Sequence, residues 1–137
     1  MNLHIYTDGA SRGNPGPASY GFVVLDGMGN ILHKEGRAIG ITTNNVAEYT
    51  AVYEALKFVK NSLPSKYSSI ILKADSKLVA EQLSGNFKVK SKHLKPIIEQ
   101  IKILALELGG ITFSHIPRQK NALADSMANR ALDSPTL

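Results

Sequence analysis

The chain has 137 residues, enough for one domain with its own core, and no cysteine, which excludes a disulfide framework, a thiolate metal site and a cysteine nucleophile. Its formal charge of +5, from 16 Lys and Arg against 11 Asp and Glu, leans towards a polyanionic partner. No apolar run approaches the length of a membrane span and no basic-then-apolar leader opens the chain, so a cytoplasmic protein with no membrane contact is the expectation.

Residues 3–7 (LHIYT) read as a strand that delivers Asp8 to the lip of a turn. Residues 9–17 (GASRGNPGP) look too rich in Gly and Pro for helix or strand, and their amides suit a polyanion. Residues 20–26 and 31–40 read as two more strands about a hairpin turn at 27–30, an antiparallel start. After a polar stretch with capping residues at 41–45 the period changes. Val46, Tyr49, Val52, Tyr53, Leu56 and Val59 recur at helical spacing, with Lys57 and Lys60 outward.

A Pro64-containing loop follows, then a short buried strand at 70–72 that ends at Asp75, and a brief helix at 76–83 broken at 84–86. Leu94, Ile97, Ile98, Ile101, Leu104, Ala105 and Leu108 form a second apolar stripe, with Pro96 in its first turn and Gly109-Gly110 at its end. A last strand at 111–116 and a last helix at 121–132 complete one domain over 1–133, leaving 134–137 as a tail. The order β-β-β-α-β-α-α-β-α predicts an α/β fold with a mixed sheet and helices packed on it. Ligands of such sheets bind at the edge where the strand C-termini lie. Both apolar helical stripes read as core.

Four carboxylates stand at or near element ends: Asp8, Glu48, Asp75 and Asp125. Each has a local explanation. Asn45 and Glu48 have capping spacing, Asp75 is placed to cap a helix from Ser76, and Asp125 complements the dipole of the last helix. Two features point further. Glu48 lines up with Ala51, Val52, Ala55 and Val59 on the sheet-facing side, where a carboxylate needs a cation or donors. Asp8 and Asp75 end strands that the topology sets side by side, and like charges about 4 Å apart repel by about 4 kcal/mol at an effective dielectric near 20. Such a cluster calls for shared protons or divalent cations. Carboxylates without His or Cys suit Mg²⁺ or Mn²⁺, and two such ions form a site for in-line displacement at phosphorus.

The segments YTDGASRGNPGPASYGFVV, TTNNVAEYTAVYEAL, KADSKLVAEQLSG and PRQKNALADSMANRAL, in this order, resemble the signature blocks of type 1 ribonuclease H over about residues 3–132. The resemblance implies the ribonuclease H-like fold, a five-stranded mixed sheet with its first three strands antiparallel, flanked by helices. It also implies an endonuclease that cuts the RNA strand of an RNA–DNA hybrid with two Mg²⁺ ions, leaving a 5′-phosphate and a 3′-hydroxyl. By motif, Asp8, Glu48, Asp75 and Asp125 match the metal-binding acids. Gly13, Asn14, Thr43, Asn44 and Asn45 match the substrate loops that meet RNA 2′-hydroxyls and a phosphate. A monomer is expected.

The chain also departs from the family pattern. The loop before the last helix is Pro117-Arg118-Gln119-Lys120, with no histidine, and His115 falls within the last strand. Arg118 or Lys120 is the candidate replacement. The tryptophan-bearing basic protrusion of larger members is missing, and Phe87, Lys88 and Lys90 are the candidate contacts to the other strand. Two other readings stand beside hybrid cleavage: activity on double-stranded RNA or DNA, and a catalytically quiet nucleic-acid-binding domain.

Overall fold

A computed structural model describes residues 2–63, 67–88 and 91–134. Lys90 and all but the first residue of the expected tail lie outside them. In chain order the elements are β1 (Asn2–Ser11), β2 (Gly16–Asp26), β3 (Ile31–Thr42), α1 (Asn44–Ser62), β4 (Ser69–Ala74), α2 (Lys77–Leu83), α3 (Lys95–Glu107), β5 (Thr112–His115) and α4 (Ala122–Asp133). A 3₁₀ turn at Arg118–Lys120 precedes α4. The five strands lie in the order β3-β2-β1-β4-β5, antiparallel across β3, β2 and β1 and parallel across β1, β4 and β5. This is the expected mixed sheet.

Helices cover both faces. Tyr20, Phe22 and Val24 of β2 join Leu3, Ile5, Val52, Leu56, Leu72, Ile98 and Ile101 in one core with α1 and α3. The alternating positions point the other way. A Cβ on Gly21 would lie 2.4 Å from the Ala124 carbonyl oxygen, and one on Gly36 2.1 Å from that of Met127. These two glycines let the α4 backbone rest directly on β2 and β3, where Ser19 Oγ donates to the Ala128 carbonyl at 2.6 Å. On the first face Ala47, Ala51 and Ala55, spaced four apart and fully buried, give α1 a small-residue ridge against β1.

Four expectations need correction. Residues 9–17 are not all turn. β1 continues to Ser11, paired with Ala18, and β2 begins at Gly16, so the turn is confined to 12–15. Gly9 is there for close approach: a Cβ would sit 2.3 Å from the Glu48 nitrogen. Consequently Asp8 does not end β1. It follows the last pair with β4, Thr7 with Ala74, while β1 runs on opposite β2. Asn45 does not cap α1, since Thr43 does, its Oγ1 accepting from Val46 N at 3.3 Å. Asp75 does not cap α2 either: Ser76 Oγ accepts from Val79 N at 3.3 Å. The local explanations for Glu48 and Asp75 therefore lapse, while Asp125 does lie in the first turn of α4. Among the described residues no helix is long and apolar enough to cross a membrane.

Candidate active site

The parallel pair β1 and β4 carries two carboxylates to one edge. Asp75 is the first residue beyond β4, and Asp8 lies just past the point where β4 stops pairing with β1. Glu48 enters from the start of α1, which the alanine ridge and Gly9 bring down onto the strand. Its Oε1 accepts from Gly9 N at 2.8 Å, which fixes the carboxylate against the backbone of β1. Oxygens of Asp8, Glu48 and Asp75 all lie within 4.8 Å of one another. Asp125, in the first turn of α4, is the fourth acid; its side chain bears on the Asp8 carboxyl but does not belong to the group of three.

Burial and mutual repulsion set the electrostatics. Asp8 and Glu48 are only 5% and 8% exposed. Burial pushes the Asp8 carboxyl far above its ordinary range, and the charges of Glu48 and Asp75 push it further. Burial raises Glu48 too. Its contacts with Asp8 and Gly9 N, together with the positive charge of Arg118, work against that rise. An all-oxygen donor set of converging carboxylates that cannot all ionise fits hard divalent cations. Asp8, Glu48 and Asp75 are the residues placed to hold one, with Asp125 at the margin.

Two amides that sequence reasoning did not single out support the acids. Asn129 Nδ2 donates to Asp125 Oδ1 at 3.2 Å and to its carbonyl at 3.0 Å. Asn121 Nδ2 donates to Asp75 Oδ2 at 3.1 Å. The Asp125–Asn129 spacing was a usable signal, since residues four apart on a helix are neighbours. The Asn121–Asp75 contact joins distant parts of the chain and had none.

The loops expected to contact substrate come together. Asn14 Oδ1 accepts from Asn44 N at 3.1 Å, joining the 12–15 turn to the start of α1. Gly13 is in that exposed turn at φ +115°. The Thr43 hydroxyl is engaged as the α1 cap. Asn45 shares a groove of about 570 Å³ with Leu78, Gln82, Phe87 and Lys88, so the structure links the α1 loop to the aromatic and lysine that follow α2. Phe87 is 44% exposed over that groove. His115 remains in β5 and is exposed.

Comparison with known proteins agrees with this architecture. A family model described as reverse transcriptase-like matches residues 6–131. Ribonuclease HI of Halobacterium salinarum is 40% identical over 131 residues, covering 96% of this chain and 64% of that protein. A bifunctional protein of Mycobacterium tuberculosis is 41% identical over 135 residues, covering 98% of this chain and 36% of its own length. The chain thus spans less than two thirds of either relative. The structure of LC11-RNase H1 in complex with an RNA/DNA hybrid superposes with a TM-score of 0.90 at 42% identity, covering 96% of each chain. Fold and site together define a ribonuclease H-like protein with an acidic centre that could hold a metal ion. The chain belongs to the type 1 ribonuclease H family.

Proposed function

We propose that the chain is an endoribonuclease that hydrolyses the RNA strand of RNA–DNA hybrids, holding two Mg²⁺ ions, or Mn²⁺ in their place, on Asp8, Glu48, Asp75 and Asp125. The observation that carries this reading is the convergence of three carboxylates from β1, α1 and the end of β4 within 4.8 Å, two of them nearly buried. When bound, the ions supply the positive charge that keeps the carboxylates ionised side by side and stabilises charge building on a phosphodiester under in-line attack.

The chain's own residues do the rest. Gly9 N–H fixes one Glu48 oxygen, so that carboxylate enters the site already oriented. The joined loops of Asn14 and Asn44 offer polar groups suited to 2′-hydroxyls, the feature that separates RNA from DNA. The groove with Phe87 and Lys88 is suited to the sugar–phosphate track of the other strand. The LC11-RNase H1 relative, solved with a hybrid, supports this choice of duplex.

The test uses end-labelled RNA–DNA hybrid, double-stranded RNA and double-stranded DNA, each with Mg²⁺, Mn²⁺ or EDTA, beside Asp8→Asn. Metal-dependent cutting of the hybrid's RNA strand, lost in the variant, is the expected result. Cutting of double-stranded RNA as well would mean that the reduced grip on the second strand relaxes specificity. Hybrid binding without cutting of any duplex would overturn the enzymatic reading.

A further inference from the structure

Asn121 stands directly before α4, where an asparagine ordinarily turns its side-chain oxygen to a first-turn N–H and caps the helix. Here it makes no such bond. The side chain turns inward and is 1% exposed. Its amide nitrogen donates to the Thr7 carbonyl at 2.8 Å and to Asp75 Oδ2 at 3.1 Å. Its oxygen is buried without a hydrogen-bond partner among the described residues. The residue thus forgoes a cap and leaves an acceptor unsatisfied, both of which cost stability, to place two donors at the acidic centre.

Those contacts tie together the elements that carry three of the acids. Thr7 immediately precedes Asp8 on β1, Asp75 is held directly, and Asp125 N donates to the Asn121 carbonyl at 3.1 Å. An amide suits the position. It offers two donors with no charge, so it can orient a carboxylate without competing with a cation for it. A lysine or arginine there would neutralise Asp75, and a serine would have one donor for two acceptors.

We propose that Asn121 is a positioning residue for the metal centre, acting through Asp75: it holds that carboxylate on the β1 backbone in the orientation that binds a divalent cation. This rests on the reading of the acids as metal ligands.

The test is calorimetric titration of the full chain with Mn²⁺ alone, for wild type, Asn121→Ala, Asp75→Asn and the double variant, with thermal melting as the folding control. Asn121→Ala is expected to weaken Mn²⁺ binding about 10–100-fold and to raise the Mn²⁺ needed for half-maximal hybrid cleavage in parallel, with KM for the hybrid little changed. In the Asp75→Asn background the second substitution is expected to add nothing, because its route to the metal is already gone. Additive losses, or unchanged Mn²⁺ binding in a folded Asn121→Ala of lowered Tm, would reduce the residue to a structural one and overturn the proposal. Unchanged Mn²⁺ binding in Asp75→Asn would overturn the metal-ligand reading and this inference with it.

A measurement on the unaltered protein covers the case in which Asn121→Ala does not fold. The Asn121 side-chain amide signals in a ¹⁵N–¹H spectrum are expected to shift on Mg²⁺ addition with the same midpoint as the Asp75 backbone amide. Side-chain signals that stay fixed while the Asp75 amide moves would overturn the proposal.

Discussion

Gly9 and Glu48 hold each other in place: the glycine N–H donates to Glu48 Oε1 at 2.8 Å, and its missing side chain is what allows α1 to come that close. A Cβ at position 9 would lie 2.3 Å from the Glu48 nitrogen and 2.4 Å from the Ala47 carbonyl carbon. Backbone cannot yield as a side-chain tip can, so Gly9→Ala has to lift the start of α1 and carry Glu48 away from Asp8. The expected cost is about 1–3 kcal/mol of stability, as for overpacked cores. Hybrid cleavage is expected to fall about 100-fold, the scale set by a misplacement of about 1 Å. Gly27→Ala, where the nearest atom would be Asn2 Cβ at 3.6 Å, serves as control and should melt and cleave like wild type. Cleavage rates that do not separate the two variants would break the link between Gly9 and the site.

The raised pKa values of Asp8 and Glu48 give the metal-free protein a characteristic pH dependence. Burial lifts both above their ordinary values of 3.8 and 4.5, so the folded chain keeps protons that the unfolded chain has released. The associated stability is fully present below those ordinary values and is lost as pH rises through the folded ones, at a rate of up to about 1.4 kcal/mol per pH unit for each proton retained. In EDTA, Tm is expected to fall between about pH 5 and about pH 9. If Mg²⁺ binds there and displaces the protons, it should raise Tm more at the alkaline end and flatten the profile. A metal-free Tm that does not change over this range would mean that both carboxyls ionise in the folded chain as they do in the unfolded one, and would overturn the raised values.

What the sequence revealed of this centre, and what it concealed, follows from the range of the forces involved. Asp8, Glu48 and Asp75, which the structure brings together, were legible because each stands beside a change in the sequence pattern, and the pairing of the strands before Asp8 and Asp75 could be inferred from the crossover connection. The extension of β1 through Gly9 to Ser11 was not legible, because glycine there answers to α1 packing from across the sheet, while locally it resembles a turn. Thr42-Thr43-Asn44-Asn45 offers successive residues able to cap, and the choice of Thr43 fixes the helix phase that aims Glu48 inward. Asn121 was legible only as the start of a helix. Its partners, the Thr7 carbonyl and Asp75, come from distant parts of the chain.

The loop that lacks a histidine carries two basic residues, Arg118 and Lys120. Arg118, in the 3₁₀ turn before α4, bears on Glu48 through its positive charge. Lys120, in the same turn, instead lines a cleft with Tyr6, Val23 and Leu25. The two candidates for assisting turnover therefore carry different expectations. Arg118→Ala is expected to lower kcat about tenfold, equivalent to roughly 1.4 kcal/mol at the transition state. KM should change less. Lys120→Ala should leave turnover as it is. Steady-state kinetics with and without added 5′-phosphorylated product checks both, and unchanged turnover with unchanged product inhibition in Arg118→Ala would remove the arginine from the mechanism.

If the groove between Asn45 and Phe87 takes the second strand of the duplex, its contacts have a measurable signature. Lys88 lines it, and Lys90 follows two residues later in the sequence. If both lysines neutralise phosphates of the hybrid, Lys88→Ala with Lys90→Ala raises KM and reduces the slope of log affinity against log salt by roughly 0.7–0.9 for each phosphate no longer neutralised. The kcat should hardly move, since neither residue belongs to the acidic cluster. Phe87→Ala tests the neighbouring stacking surface, and about 1–3 kcal/mol of binding is expected to go with it if a base or sugar rests on the ring. The phenylalanine effect should persist at high salt while the lysine effect fades, because screening weakens charge interactions and leaves stacking in place. An unaltered salt slope in the double lysine variant would place the second strand elsewhere on the protein.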